Sequence, residues 1–320
     1  FRDAVRDLLA DACPPEAVRA SWDSDDGRVP GLWRALAEMG VLSALAPEDA
    51  GGLGMDEVDL VRILEEAGYA GVPDPLMEHA AVAVPALAEG GAHEELTAAM
   101  AGESTCTIAL VSGGALVVAA DTADVVVAER DGALTALSGW GTEPERSIDQ
   151  SRRLGRITGV HEGTPLPGAD PALAADRAAL GTAAQCIGVA RRLLDATVEY
   201  VGERHQFGKP VGSYQAVKHH LADVRLGIEF AAPLVYRAAW SVAHPETHDA
   251  VIRGRDVSMA KSTASDAVDL ACRAALQCHG AIGYTFEYDL QLWLKRGWVL
   301  ASAHGDARRH RDRVADALGI

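Results

Sequence analysis

The chain has 320 residues, 48% of them hydrophobic and 23% charged, which is enough apolar material for two or three packed layers and too much for a disordered chain. Its formal charge of -17 repels phosphate backbones and anionic lipid headgroups, setting aside nucleic acid and the membrane surface as partners, and no apolar run reaches the roughly 20 residues that span a bilayer. A small anionic ligand needs only a few local donors, so the net charge does not speak against one.

Aromatic residues are scarce at 5% while Ala and Leu dominate, a composition that suits closely packed helices. The five cysteines, Cys13, Cys106, Cys186, Cys272 and Cys278, are odd in number, dispersed and without a CxxC pair, so they read as reduced thiols rather than as a disulfide framework or a zinc site. No basic segment precedes an apolar one, and the expected location is cytoplasmic.

In chain order, the first hundred residues predict helices over 2–12, over 32–39 closed by Gly40 and over 55–67 closed by Gly68, since glycine stops a helix by taking the left-handed conformation. Between Thr105 and Leu137 the texture changes to β-branched runs punctuated by Gly-Gly and Asp-Gly, which predicts a small set of strands. Helical pattern returns from Pro171 in long blocks near 172–204, 214–243, 248–279 and 287–317, whose apolar stripes cover one another most economically in a four-helix bundle. The predicted fold is therefore mainly α with a small β domain: an N-terminal helical domain over 1–102, a truncated β domain over 103–169 and a C-terminal four-helix bundle domain over 170–320.

Two segments carry candidate chemistry. RHQFGKPVGSYQ, from Arg204 through Gln206 and Phe207 to Gln215, sets a guanidinium, amides and an aromatic ring at a helix end. Arg binds phosphate through paired charge-assisted hydrogen bonds, and Phe can cover an apolar ring face. QCHGAIGYTFE, from Gln277 through Cys278, His279, Gly280 and Ala281 to Glu287, ends a helix in small residues that allow close approach. Taken singly, the first reads as a cation offsetting a helix macrodipole and the second as a Gly-terminated helix.

Together the two segments resemble the acyl-CoA dehydrogenase family, whose RxxFGxP[IV]xxxQ and QxxGGxGYTxE signatures they match in order, with Ala281 in place of the second glycine. The stretch LAPEDAGGLG over 45–54, followed by VRILEEAG over 61–68, is similar to the family's PExxGGxG turn and VxxLEExG helix, so the resemblance covers nearly the whole chain. It implies FAD as cofactor and an acyl-CoA thioester as substrate. It also implies a homo- or hetero-oligomer, dimer or tetramer, with another subunit of the family, and an electron-transfer flavoprotein among the partners to expect. By the same resemblance Arg204, Gln206, Phe207 and Gln215 face a flavin of a neighbouring subunit, while Gln277, Cys278, His279, Gly280 and Ala281 line its pyrophosphate and adenosine end.

The chain departs from the family where the redox ring is held. It has no Thr-Glu-Pro followed by Gly-Ser-Asp and no Trp-[IV]-Thr/Ser segment, and only VSGG stands between Leu110 and Ala115. The position of the family's C-terminal glutamate base falls on His304, whose imidazole accepts protons near neutral pH and which in plain reading is a surface-loop histidine. The alternative place on the first bundle helix falls on Ala178 and Gln185, neither a base, with Asp176 the nearest carboxylate and in plain reading a first-turn charge. Small residues over 178–190 suggest room for a bulky acyl group. The reading that follows is a dehydrogenase subunit lending the flavin's pyrophosphate side to a heteromeric, α2β2-like assembly. The alternatives are a catalytically inactive scaffold subunit and a self-sufficient homo-oligomeric enzyme with a non-standard base.

Overall fold

The computed structural model describes residues 1–110 and 116–320, the side chains of Val160 and His161 apart. The chain is 61% helical with a small sheet, and divides into one unit of Phe1–Leu60 with Val72–Gly181 and another of Val61–Gly71 with Thr182–Ile320.

The first unit opens with α1 (Arg2–Ala12), α2 (Pro15–Ser21) and α3 (Leu32–Glu38), the last closed by Gly40 at φ 84° as its sequence predicts. The first residues of α4 (Glu57–Ala70) follow, then a π-helical turn (Met77–Ala83), α5 (Val84–Gly90) and α6 (His93–Met100). Every residue of the π turn is buried. His79 within it accepts from the Cys106 N–H through Nδ1 at 3.0 Å and donates from Nε2 to the Ala99 carbonyl at 3.2 Å.

The sheet comprises β1 (Cys106–Ala109), β2 (Leu116–Val118), β3 (Val125–Arg130), β4 (Ala133–Glu145) and β5 (Leu154–Pro165), in the order β1-β3-β4-β5-β2. The β1–β3 pair is parallel, and the β3–β4, β4–β5 and β2–β5 pairs are antiparallel. Asp131 and Gly132, both at positive φ, make the tight β3–β4 hairpin that the Asp-Gly pair predicts. Strands continue well past Leu137, which the sequence pattern does not show because the glycines, charges and register shifts of β4 and β5 near Gly139 break the alternation expected of a strand. The VSGG segment at the proposed truncation lies outside the described residues.

The second unit holds the rest of α4, most of α7 (Pro171–Glu203), a two-residue hairpin of β6 (His205–Gln206) and β7 (Lys209–Pro210), and α8 (Gln215–Ala243), α9 (Ala250–His279), α10 (Leu290–Ser302) and α11 (Ala307–Leu318). These are the four predicted blocks with the fourth divided. Its break falls at residues 303–306, where His304 and Gly305 take φ of 54° and 103° and the Asp306 carboxylate caps α11 by accepting from the Arg309 N–H.

Gly68 does not stop α4. The helix runs on to Gly71 at φ 74°, and Gly68 is where α4 meets the backbone of Gln185 on α7. Gly188 reciprocates, its α-carbon pressed against the Glu65 carbonyl and the Tyr69 amide. The small residues over 178–190 are fully buried, and at 185–188 they admit a neighbouring helix rather than the bulky ligand their size suggests.

Candidate functional site at one end of the helical unit

Helix α9 ends at Gly280, whose N–H bonds the Leu276 carbonyl. The His279 side chain just before it is 4% exposed. Its Nδ1 lies 2.8 Å from the Ala275 carbonyl, and since a carbonyl only accepts, Nδ1 carries the proton. Nε2 is left as a buried lone pair without a hydrogen-bond partner among the described residues, and burial lowers the pKa, favouring the neutral ring. Tyr200, near the end of α7, stacks on this ring at 4.2 Å and donates from its hydroxyl to the His279 carbonyl at 3.4 Å. Tyr288 leans on the same imidazole at 5.4 Å. The Tyr200–His279 contact thus joins the chain leading into the first motif to the second motif itself.

Arg204 sits one turn beyond Tyr200, immediately past α7. Its N–H still bonds the Tyr200 carbonyl, and its own carbonyl accepts from Val211 at 2.7 Å, closing the hairpin that carries Gln206 and Phe207. Phe207 takes a left-handed φ of 53° and is 93% exposed. Such a conformation is uncommon for an aromatic residue and holds the ring out at the hairpin tip. Tyr214 supports the hairpin by donating to the Gln206 carbonyl at 3.2 Å. Gln215 opens α8 exposed, as are Gln277, Gly280 and Ala281, while Cys278 is half-buried. The Arg204 guanidinium is exposed and makes no ion pair among the described residues.

These residues fit the pyrophosphate and adenosine portion of FAD. An exposed guanidinium with no carboxylate partner among the described residues, exposed amides and an uncovered ring offer the donors and stacking face that portion requires. The neighbouring cavity of about 290 Å³ does not fit phosphate, because Glu199, Glu203 and Asp289 share its lining with Tyr200 and Tyr288. Arg192, also in that lining, lies over the rings of Trp293 and Tyr69 at 4.6 and 5.6 Å.

Among the candidate bases, His304 is half-buried in the α10–α11 turn. Asp176 is not a first-turn surface charge: it lies in the second turn of α7 with no exposed surface, and the neighbouring Arg177 is held by Glu57 at 2.8 Å and Glu89 at 2.7 Å. Ala178, Gln185 and Cys186 are buried.

Two residues at the His304 turn escape sequence reasoning, Lys261 and His310. The available signal is register: Lys261 stands among Val257, Ala264 and Val268 on the buried stripe of α9, where a lysine is out of place unless it has acceptors. In the first unit the buried Thr142 hydroxyl of β4 has no hydrogen-bond partner among the described residues, and Trp140 donates to the Ala120 carbonyl at 2.9 Å. Among the described residues no helix is long and apolar enough to cross a membrane, and no group of His, Cys, Asp and Glu could hold a metal ion.

The family model of the acyl-CoA dehydrogenase N-terminal domain matches residues 1–102, and that of the C-terminal domain matches residues 172–319. The chain is 37% identical over 309 residues to acyl-CoA dehydrogenase IpdE2 of Mycolicibacterium smegmatis, covering 96% of this chain and 92% of that one. It is 31% identical to acyl-CoA dehydrogenase FadE34 of Mycobacterium tuberculosis, covering 98% of this chain but 46% of that longer protein. Among solved structures, a chain of the Tcur3481-Tcur3483 steroid ACAD superposes with a TM-score of 0.91 at 25% identity, covering 99% of this chain and 96% of that one. The chain belongs to the acyl-CoA dehydrogenase family, whose members are FAD-dependent oxidoreductases.

Proposed function

We propose that the chain is a dehydrogenase subunit supplying the pyrophosphate and adenosine side of a flavin site shared with a second subunit of the same family, for α,β-dehydrogenation of an acyl-CoA thioester. The observation that carries this is the Tyr200–His279 stack, which joins both motifs at one end of the helical unit, where Arg204 is exposed and makes no ion pair among the described residues. Arg204 binds phosphate oxygens through its paired N–H groups, the Gln215 and Gln277 amides donate alongside, and Phe207 covers an apolar ring face. Bound FAD supplies the acceptor for the hydride leaving Cβ.

The partner is another acyl-CoA dehydrogenase chain. Supporting this, FadE34 has more than this chain's length beyond the matched segment, and the steroid ACAD is named for two proteins. Visible absorbance at the flavin bands tests it, with the chain purified alone and after co-expression with its neighbouring gene product. Flavin is expected only in the co-expressed complex. Full flavin in the lone chain defeats the shared site, and none in either preparation defeats the flavin role.

A second reading, a self-sufficient enzyme, is favoured by the constrained turn that carries His304. There His304 takes the α-proton onto a ring nitrogen. Wild-type turnover in His304→Ala would eliminate it.

A further inference from the structure

We infer that Lys261 and His310 are positioning residues that fix where the His304 imidazole stands. Helix α10 ends at Ser302, and its last carbonyls have no N–H of the helix to receive. The chain turns into α11 within four residues, and two of them, His304 and Gly305, take consecutive positive φ angles. A left-handed conformation is strained for a non-glycine residue, so this turn persists because its surroundings hold it.

The hold comes from two other helices of the same unit. Lys261, on α9, is 0% exposed. Its Nζ donates to the Ala301 carbonyl at 3.1 Å, the Gly305 carbonyl at 2.9 Å and the Ser265 hydroxyl at 2.8 Å, so three N–H donors meet three acceptors. His310, on α11, is 4% exposed and reaches the His304 carbonyl through Nε2 at 3.0 Å. The carbonyl fixes the tautomer: Nε2 carries the proton, and Nδ1 accepts from the Ser258 hydroxyl at 3.1 Å. Gly305 lies so close that a Cβ there would stand 2.7 Å from His310 Nε2.

Carbonyls 301, 304 and 305 are therefore each pinned, which sets the peptide planes around His304 and with them its Cα–Cβ direction. An ordinary helix C-cap would need only the Ala301 contact. The contacts to residues 304 and 305 lie beyond the helix and serve the turn. The inference deepens the second reading above, in which His304 faces the thioester, and its test separates the two.

The measurement is the ring ¹H–¹³C NMR signal of His304 in the flavin-loaded protein, assigned by its loss in His304→Ala. It is accompanied by turnover of butyryl-CoA and octanoyl-CoA with ferricenium as acceptor. Lys261→Met is expected to shift or split the His304 signal and to lower kcat on the order of 100-fold with KM unchanged. Lys261→Arg, which keeps donors but presents them in a plane, restores the signal in part. If Lys261→Met does not fold, His310→Leu carries the same test through the His304 carbonyl. An unmoved His304 signal in a folded variant overturns the inference whether or not either thioester is turned over. A moved signal with wild-type turnover in His304→Ala leaves the positioning intact and removes only the base.

Discussion

The Tyr200 ring stacks on the His279 imidazole at 4.2 Å while its hydroxyl reaches the His279 carbonyl at 3.4 Å, so one side chain registers the end of α7 against the end of α9. The ring matters more than the hydroxyl. Tyr200→Phe removes one long hydrogen bond and should cost about 0.5 kcal/mol. Tyr200→Ala should cost about 2 kcal/mol and release flavin, because the two motifs lose their common support. Urea denaturation and flavin absorbance of both variants distinguish these outcomes.

Arg204→Ala should weaken flavin retention with stability changed by less than about 0.5 kcal/mol, since the side chain is exposed and makes no ion pair among the described residues. Lys at this position should recover retention only in part, because a point charge does not reproduce the planar fork. Equilibrium dialysis of FAD against the co-expressed complex provides the readout.

Two glycines of α7 should respond with opposite signs. Gly188→Ala drives a methyl into the Glu65 carbonyl and the Tyr69 amide and should cost about 3 kcal/mol. Gly202→Ala meets nothing within 4 Å and should stabilise by about 0.5 kcal/mol through helix propensity. Thermal unfolding of the pair tests whether α4 and α7 touch through their backbones.

Acid should destabilise the fold through its buried histidines. Burial depresses His310 from 6.5 to about 4 and His79 from 6.5 to about 3, so the unfolded chain binds these protons more readily than the folded one. Their contribution is complete above pH 6.5 and is lost as pH falls below it. Between pH 7 and 5 each costs about 2 kcal/mol. Asp74 opposes them: burial raises it to about 6, and protonating it returns about 1 kcal/mol over the same range. The net loss is about 3 kcal/mol, and His310→Gln should flatten the slope measured by urea denaturation at several pH values.

The long helices were legible because their apolar stripes repeat at the helical period, and the Asp131–Gly132 hairpin because only certain residues accept two positive φ angles in a row. Gly68 misleads because a glycine that ends a helix and one that admits a neighbouring backbone are the same letter, and the deciding partner, Gln185, lies far along the chain. The division of the last helix was hidden for a similar reason. His304–Gly305 is a weak breaker alone, and the turn is enforced by Lys261 from α9. At the candidate site the sequence supplies Arg204 and Gln277 as motif positions, while the orphaned His279 Nε2 follows from a hydrogen bond to Ala275 that no motif encodes.

The backbone contact of α4 with α7 also bears on how the protein can be cut and recombined. The segment Val61–Gly71 belongs with Thr182–Ile320, and Glu65 within it holds Arg191 at 2.7 Å. A fragment beginning at residue 172 would uncover Gly188 and strand that arginine, inviting aggregation through a bared helix face. A chimera exchanging the C-terminal helices with those of a relative must carry the α4 segment with them, so the transplantable module is discontinuous in sequence.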